Sequence, residues 1–240
     1  MTTYMLVHGA CHGGWCWEKV KPLLEARGHK VLAPDLPACG EDRTPIASVT
    51  LGSNVDLISG LLDKEPEPVV LVGHSLGGVT VAATSEARRR KIRTAVYVTA
   101  ILPPSGKAAR DMTALEPEGL VRQSYETVVE GVSYTFKRAN VPTLFYNECQ
   151  PEDVYKAMSR LKPQPLKVAT TPVTLTDDRF GSVPRLYVEC KRDNALPITL
   201  QRKMIALTPT KTIKLYTDHS PFFSTPDELA EILHQASLDG

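Results

Sequence analysis

The chain has 240 residues, and its 28 Lys and Arg residues nearly balance its 27 Asp and Glu residues. This near-neutral charge argues against nucleic-acid or anionic-membrane partners, which need a concentrated basic face. The five cysteines are odd in number and lack metal-ligand spacing, a pattern that predicts no metal site and favours reduced thiols in a cytoplasmic protein.

A strand pattern starts almost at the first residue, and no apolar run is long enough to cross a bilayer. The sequence therefore predicts neither a signal peptide nor a membrane-spanning helix. Strand and helix patterns then alternate through the first hundred residues, with strands predicted over 3–9, 29–37, 67–73 and 92–100, and helices over 17–28, 48–64 and 77–90. This alternation predicts an α/β fold, a mostly parallel sheet with helices on both faces.

The alternation breaks in the middle of the chain. Residues 104–183 are irregular and rich in proline and polar residues, with only short pieces such as a helical pattern over 151–161. Strand patterns return over 184–190 and 210–218, and a helix pattern follows over 226–237. The sequence therefore predicts one core formed by residues 1–103 and 184–240, interrupted by an inserted cap at 104–183.

The sequence Gly73-His74-Ser75-Leu76-Gly77 links the third strand pattern to the third helix pattern. It fits G-x-S-x-G, and strand, turn and helix are the context that this motif requires. Such a sharp turn forces its central residue into a strained backbone conformation, and the flanking glycines let strand and helix pass closely. The turn would lift the Ser75 hydroxyl clear of the sheet at the positive end of a helix, where a nucleophile could act.

A nucleophilic serine needs a general base, and the chain has six histidines. His219 is the best placed, because it follows the last strand pattern at the edge where active sites of parallel sheets form. His74 lies inside the motif, with its ring expected on the side away from Ser75. Asp193, which follows another strand, is the expected acid, since the adjacent Asp218 would point away from the histidine. The order serine, aspartate, histidine is typical of catalytic triads on such sheets.

Acyl transfer also needs hydrogen-bond donors for a developing oxyanion. Leu76, which follows the nucleophile, would supply one backbone N–H. Ala10, in the glycine-rich loop after the first strand, would supply the other. Cys11 in the same loop is an alternative nucleophile, but it has no separate base and acid, which favours a buried or pocket-lining thiol.

Several stretches of the chain resemble the plant-type methylesterase and hydroxynitrile lyase family of α/β-hydrolases. They are LVHGACHGGWCWEKVKPLLEARGHKVLAPDLPACGEDRTPI, VVLVGHSLGG, LFYNECQPEDVYKAMSRLKPQPL, RFGSVPRLYVECKRDNALP and DHSPFFSTPDEL, and together they cover most of the chain. The resemblance implies an α/β-hydrolase fold with a cap, no cofactor, and an enzyme that often forms homodimers. It also implies Ser75 as nucleophile, His219 as base and Asp193 as acid, with the N–H groups of Ala10 and Leu76 as the oxyanion hole.

The lyases of that family carry a threonine in the first loop and a lysine directly after the base histidine, where this chain has Gly9 and Ser220. A cyanide leaving group needs a nearby positive charge, so these residues favour the esterase branch. The expected activity is hydrolysis of a modest-sized hydrophobic ester through an acyl-enzyme intermediate. Two alternatives stay open: lactone hydrolysis or cyanohydrin cleavage at the same site, and a small-molecule receptor with this fold.

The substrate is expected to lie in an apolar pocket between the core and the cap. Both tryptophans fall in the first loop, so the larger apolar residues of the cap are of other types. The residues expected to contact the substrate are Gly9, Cys11, His74, Phe136, Leu144, Phe145 and Ser220.

Overall fold

Two sheets are present within residues 1–238, the part of the chain that the computed structural model describes. Their strands are β1 (Thr3–Val7), β2 (Lys30–Leu32), β3 (Val69–His74), β4 (Ile92–Val98), β5 (Tyr125–Val129), β6 (Ser133–Phe136), β7 (Gln164–Pro165), β8 (Arg185–Cys190) and β9 (Lys211–Leu215). The main sheet has the order β2-β1-β3-β4-β8-β9, and all its neighbouring strands are parallel. The α/β class predicted from the sequence is therefore confirmed.

Helices lie between the consecutive strands of the main sheet along the chain and after the last of these strands. They are α1 (Val20–Glu25), α2 (Leu51–Asp63), α3 (Gly77–Ala87), α4 (Ala109–Thr113), α5 (Leu120–Gln123), α6 (Val141–Phe145), α7 (Pro151–Arg160), α8 (Leu166–Thr170), α9 (Ile198–Leu207), α10 (Pro221–Ser224) and α11 (Pro226–Ala236). None of the helices within residues 1–238 combines the length and apolar character needed to cross a membrane. Nor does this part of the chain group three His, Cys, Asp or Glu side chains as a metal site would require.

The central strands are buried on both faces. Every residue of β3 is buried, as are the last four residues of β1 and the last five of β4. Successive side chains of a strand point to opposite faces, so this burial means that both faces of the sheet are covered. α1 packs on α11 and α2 packs on α3, while α3 and α11 both contact β4. The buried sheet is thus a rigid frame for the loops at its strand ends.

One core helix, α9, is missing from the sequence prediction. Its buried side chains include Gln201, whose Oε1 accepts a hydrogen bond from the Cys190 N–H at 3.1 Å. The side-chain Nε2 of Gln201 donates to the carbonyls of Cys190 and Leu196 at 2.8 and 2.7 Å. A buried glutamine in the core-facing stripe hides the apolar period that would reveal a helix.

The segment predicted to be an insertion has more structure than its sequence indicates. It contains α4 to α8 and the small antiparallel sheet, in which β6 pairs with both β5 and β7. All residues of β5 are exposed, so no burial on one face enforces a regular apolar alternation there. α4 packs on α9 and α8 packs on α2, so the segment rests on the core. The exact division between core and cap stays a prediction.

Candidate active site

Ser75 occupies the turn between β3 and α3, with a φ of +50° that non-glycine residues rarely adopt. The glycines on either side make this turn possible. A Cβ at Gly77 would lie 2.6 Å from the carbonyl oxygen of His8, and one at Gly73 would lie 2.6 Å from a methyl group of Val81. Only glycine fits at these two points, so the strained turn and its glycines form one unit.

The end of β4 holds the backbone of Ser75 in this conformation. The N–H of Ser75 donates to the carbonyl of Val98 at 3.4 Å, and its carbonyl accepts from the N–H of Ile101 at 2.9 Å. Gly78 in the first turn of α3 donates to the same carbonyl at 3.1 Å. The Ser75 side chain lines a small cavity at the N-terminal end of α3, where the helix dipole favours negative charge.

A buried hydrogen bond connects His219 to Asp193. Nδ1–H of His219 donates to Oδ2 of Asp193 at 2.6 Å, and both side chains are almost fully buried. The other carboxylate oxygen, Oδ1, accepts from the N–H groups of Ala195 and Leu196 at 2.7 and 2.8 Å. The hydroxyl of Thr99 also donates to Oδ2. With Nδ1 committed to the carboxylate, Nε2 of His219 is left to accept a proton.

Thr99 is a residue of the site that the sequence does not predict. Its backbone conformation is as unusual as that of Ser75. Its φ is +36°, in a region that β-branched residues rarely enter. It directly follows β4, and its N–H donates to the carbonyl of Val188 at 3.0 Å. Strain of this kind persists only where the surroundings enforce it, and here it accompanies a hydroxyl aimed at Asp193.

The second acidic candidate, Asp218, makes a different set of contacts. Its Oδ2 accepts from the N–H of Glu148 at 2.9 Å. Its Oδ1 accepts from the N–H of Ser220 at 3.0 Å and from the hydroxyl of Ser224 at 2.8 Å. The carboxylate of Asp218 therefore ties the segment before α7 to α10, and it is Asp193 that contacts the ring of His219.

His74 lies behind the serine and supports the base through the backbone. Its Nε2–H donates to the backbone carbonyl of His219 at 2.7 Å, which leaves Nδ1 without a proton. Burial, with neighbouring histidines adding to it, holds the pKa of His74 well below its usual range and keeps the ring neutral. The two ring centroids lie 4.7 Å apart, so a neutral His74 does not repel a protonated His219. His74 is fully buried and is not part of the cavity lining, and its hydrogen bond to the backbone of His219 supports the base.

Ala10 and Leu76 line the same cavity as Ser75. Within residues 1–238, the N–H groups of Ala10 and Leu76 donate no hydrogen bond, so both are free to bind an oxyanion. The N–H of Leu76 also belongs to the N-terminal end of α3. The two donors expected from the sequence thus share one cavity with the serine.

The cavity around Ser75 is small and mostly apolar. Its volume is about 30 Å³. Core and inserted segment both contribute to its lining, which consists of Ala10, Ser75, Leu76, Ile101, Ala109, Thr113, Val121, Tyr125, Tyr134, Phe136, Phe145, Ala169, Ala195 and Leu196. Phe136 and Phe145, both expected substrate contacts, belong to this set.

The remaining expected contacts lie outside this lining. Leu144 and Ser220 are fully buried, each at 0% exposure. Gly9 has no side chain, and a Cβ there would lie 2.8 Å from the Cβ of Ser75. Cys11 is also buried, and burial raises the pKa of its thiol, so it stays neutral and is a poor nucleophile. None of these four residues is part of the cavity lining, and their contact with a substrate stays a prediction.

A larger outer cavity of about 520 Å³ adjoins the cavity of Ser75. The two cavities share four lining residues, which are Thr113, Tyr125, Tyr134 and Ala169. Tyr134 is buried, whereas Tyr125 is partly exposed. These four residues form the boundary between Ser75 and the outer cavity.

Comparison with known proteins identifies the family to which this chain belongs. Residues 5–232 match the alpha/beta hydrolase family. Methylesterase 1 of Arabidopsis thaliana is 36% identical over 95% of this chain and 93% of that protein, and salicylic acid-binding protein 2 of Nicotiana tabacum is 34% identical over 97% of each. The solved structure of polyneuridine aldehyde esterase superimposes with a TM-score of 0.90, covers 99% of both chains and is 27% identical. The chain belongs to the alpha/beta hydrolase family and, within it, to the carboxylesterase-type group that includes the plant methylesterases.

Proposed function

We propose that this chain hydrolyses a modest-sized hydrophobic carboxylic ester through an acyl-enzyme at Ser75. The observation that carries the proposal is that Ser75 shares one small, mostly apolar cavity with the backbone N–H groups of Ala10 and Leu76, which donate no hydrogen bond within residues 1–238. The hydrogen bond between Asp193 and His219 supports the same chemistry. The relatives named methylesterase and esterase support an ester bond as the bond that is cleaved.

In the proposed mechanism, Nε2 of His219 takes the hydroxyl proton as Oγ of Ser75 attacks the ester carbonyl. The carbonyl oxygen becomes an oxyanion, which accepts hydrogen bonds from Ala10 and Leu76. His219 then gives its proton to the leaving alkoxide oxygen, and the alcohol departs. Water attacks the acyl-enzyme with His219 again as base, which releases the acid and restores Ser75. Asp193 stabilises the imidazolium at each stage.

The two cavities support a particular shape of ester. About 30 Å³ beside Ser75 admits only a small group, whereas the outer cavity of about 520 Å³ has room for a larger one. We infer that the ester joins one small part to one larger part, and that the larger part extends past Tyr125 and Tyr134 into an outer cavity with both apolar and charged lining residues. A methyl ester of a hydrophobic acid meets this description, in keeping with the names of the relatives.

Cyanohydrin cleavage is the rival that the geometry supports least. A threonine at position 9 would need a Cβ 2.8 Å from both Cβ of Ser75 and Nδ1 of His74, a distance that real Cβ atoms do not show. The buried hydroxyl of Ser220 has no hydrogen-bond partner in the described part of the chain, 1–238, and neither lysine nor arginine of this part lines the cavity. A departing cyanide would thus remain an uncompensated charge in a low-dielectric site. A neutral ester makes no such demand.

We expect the protein to hydrolyse p-nitrophenyl acetate and small methyl esters, and to release no benzaldehyde from mandelonitrile above the buffer rate. Absorbance assays follow p-nitrophenolate at neutral pH and benzaldehyde at mildly acid pH, with the Ser75→Ala variant as the control in both. Serine-dependent benzaldehyde formation without ester turnover would make the chain a lyase. Saturable ester binding without turnover would favour the receptor alternative.

A further inference from the structure

The loop after β1 contains Ala10, whose N–H is a proposed oxyanion donor. Histidine side chains donate hydrogen bonds to two backbone carbonyls of this loop. The carbonyl of Gly9 accepts from Nδ1–H of His8 at 2.9 Å, and the carbonyl of Ala10 accepts from Nδ1–H of His12 at 2.7 Å. A carbonyl and the following N–H share one peptide plane and point in opposite directions. Fixing the Gly9 carbonyl therefore also sets the direction of the Ala10 N–H.

The next peptide plane, between Ala10 and Cys11, is held at both ends. His12 holds the carbonyl of Ala10, and the N–H of Cys11 donates to Oε1 of Gln164 at 3.0 Å. Ala10 thus sits between two fixed planes, and its own N–H is the group left free for the cavity. The N–H of Cys11 is already occupied, so it is not available as an oxyanion donor.

Gln164 reaches this loop from the inserted segment, far away along the chain. It lies in β7, where it pairs with Tyr134 of β6, and it is 97% buried, at 3% exposure. Cys11 has a φ of +65°, a conformation that costs free energy in a non-glycine residue. The backbone N–H of Lys162 donates to the carbonyl of Cys11 at 3.0 Å, so both backbone groups of this strained residue are bonded to residues 162–164.

A second contact from the inserted segment acts on the same peptide. The hydroxyl of Tyr146 donates to Nε2 of His12 at 2.7 Å, and Nδ1–H of His12 donates to the carbonyl of Ala10. Burial lowers the pKa of His12 to about 3, so the ring is neutral and can donate at one nitrogen while it accepts at the other. Tyr146 and Gln164 therefore hold opposite ends of the Ala10–Cys11 peptide.

We propose that Gln164 is a positioning residue of the oxyanion hole. By holding the Ala10–Cys11 peptide it fixes the backbone of Ala10, so that the N–H of Ala10, in the preceding peptide plane, keeps its direction toward the reacting carbonyl oxygen. The inference rests on the proposed function, and it adds that the inserted segment sets the geometry of a donor on the core. Loss of the Gln164 acceptor would leave the peptide held only at its carbonyl end, by His12, and able to rotate about that contact. The rotation would weaken the bond to the oxyanion more than the binding of the neutral ester.

The test compares Gln164→Leu, which removes the acceptor, with Gln164→Glu, which keeps an oxygen at the same place. Gln150→Leu is the matched control, since Gln150 is an exposed glutamine of the same segment. We expect Gln164→Leu to lower kcat by about 10- to 100-fold with a much smaller change in KM. Gln164→Glu should restore most of this loss, and Gln150→Leu should behave as wild type.

A second readout separates positioning from a general loss of structure. A trifluoromethyl ketone forms a tetrahedral oxyanion adduct with the serine, whereas the matching methyl ketone binds as a neutral molecule. Gln164→Leu should lower the affinity for the trifluoromethyl ketone by the same factor as kcat/KM, and it should leave the affinity for the methyl ketone nearly unchanged. If Gln164→Leu is poorly folded, Tyr146→Phe provides an independent variant, because it releases the other end of the same peptide. Its effect on the two ketones should have the same direction.

Two results would overturn the proposal. One is a folded Gln164→Leu variant whose kcat and trifluoromethyl ketone affinity match those of Gln150→Leu. The other is a folded Gln164→Leu variant that loses affinity for the methyl ketone as much as for the trifluoromethyl ketone, since the loss would then not be specific to the oxyanion. Wild-type turnover and its loss in Ser75→Ala are measured first, so a failure of the proposed ester hydrolysis is seen separately from a failure of the role of Gln164.

Discussion

Replacing Ser75 with alanine should abolish ester turnover and leave the fold intact. The substitution removes one oxygen, and no hydrogen bond among residues 1–238 involves that hydroxyl. The φ of +50° is held by bonds between the Ser75 backbone and Val98 and Ile101, which alanine retains. We expect kcat to fall by about 10⁴-fold or more, because members of a triad act as a unit. Steady-state kinetics and thermal unfolding measure the two effects.

Cys11, in the loop after β1, provides the control for this prediction. Cys11→Ala should retain turnover, because the Cys11 thiol is buried and its pKa is raised by that burial. Residual activity of Ser75→Ala above about a tenth of the wild-type value, in a sample free of wild-type enzyme, would identify a different nucleophile. If this residual activity disappeared when Cys11→Ala was added, the different nucleophile would be the Cys11 thiol.

Changing Asp193 to asparagine should lower kcat by roughly 10³-fold or more. Oδ1 of the carboxylate accepts from the N–H groups of Ala195 and Leu196, so an asparagine would keep its oxygen there. Its NH₂ group would then take the place of Oδ2, opposite Nδ1 of His219 and the hydroxyl of Thr99. Nδ1 would have to accept a hydrogen bond, which puts the ring proton on Nε2. In that tautomer His219 cannot take the proton of the serine.

Asp218→Asn is the matched control, because Asp218 is an equally buried carboxylate next to the base in sequence. Its hydrogen bonds to Glu148 and Ser224 join the segment before α7 to α10. We expect it to lower the free energy of unfolding by about 1–3 kcal/mol and to change kcat much less than Asp193→Asn. Denaturant unfolding and steady-state kinetics on both variants give the comparison. A larger kcat loss in Asp218→Asn would sink the assignment of the acid.

The core elements could be predicted from the sequence because packing and local pattern agree in them. β3 and β4 are runs of buried apolar residues, and Gly28, with a φ of +81°, ends the first helical region as its sequence position indicates. The pattern fails where a buried residue is polar or a strand is exposed. Gln201 faces the core on α9, and β5 has no buried face, so neither element has the apolar period that predicts it.

Part of the candidate site could also be predicted from the sequence, and part could not. Ser75 could be proposed from the sequence because its motif encodes a local turn, and His219 because it follows a strand pattern at the edge of the sheet where active sites form. Thr99 and Gln164 could not, since each acts through a contact between residues far apart in the sequence. Glutamine in a proline-containing stretch and threonine at a strand end occur widely in loops without any role. Only the fold brings them to Asp193 and to the oxyanion loop.

The measurement that tests the central claim most directly is capture of the acyl-enzyme. The protein is mixed with p-nitrophenyl acetate, quenched in acid within the first turnover, and analysed by intact-protein and peptide mass spectrometry. We expect a single acetyl group on the peptide that contains Ser75, formed at the rate of p-nitrophenolate release and absent from Ser75→Ala. Steady ester turnover with the acetyl group on another residue, or with no serine-dependent adduct on any peptide, would contradict the proposed mechanism.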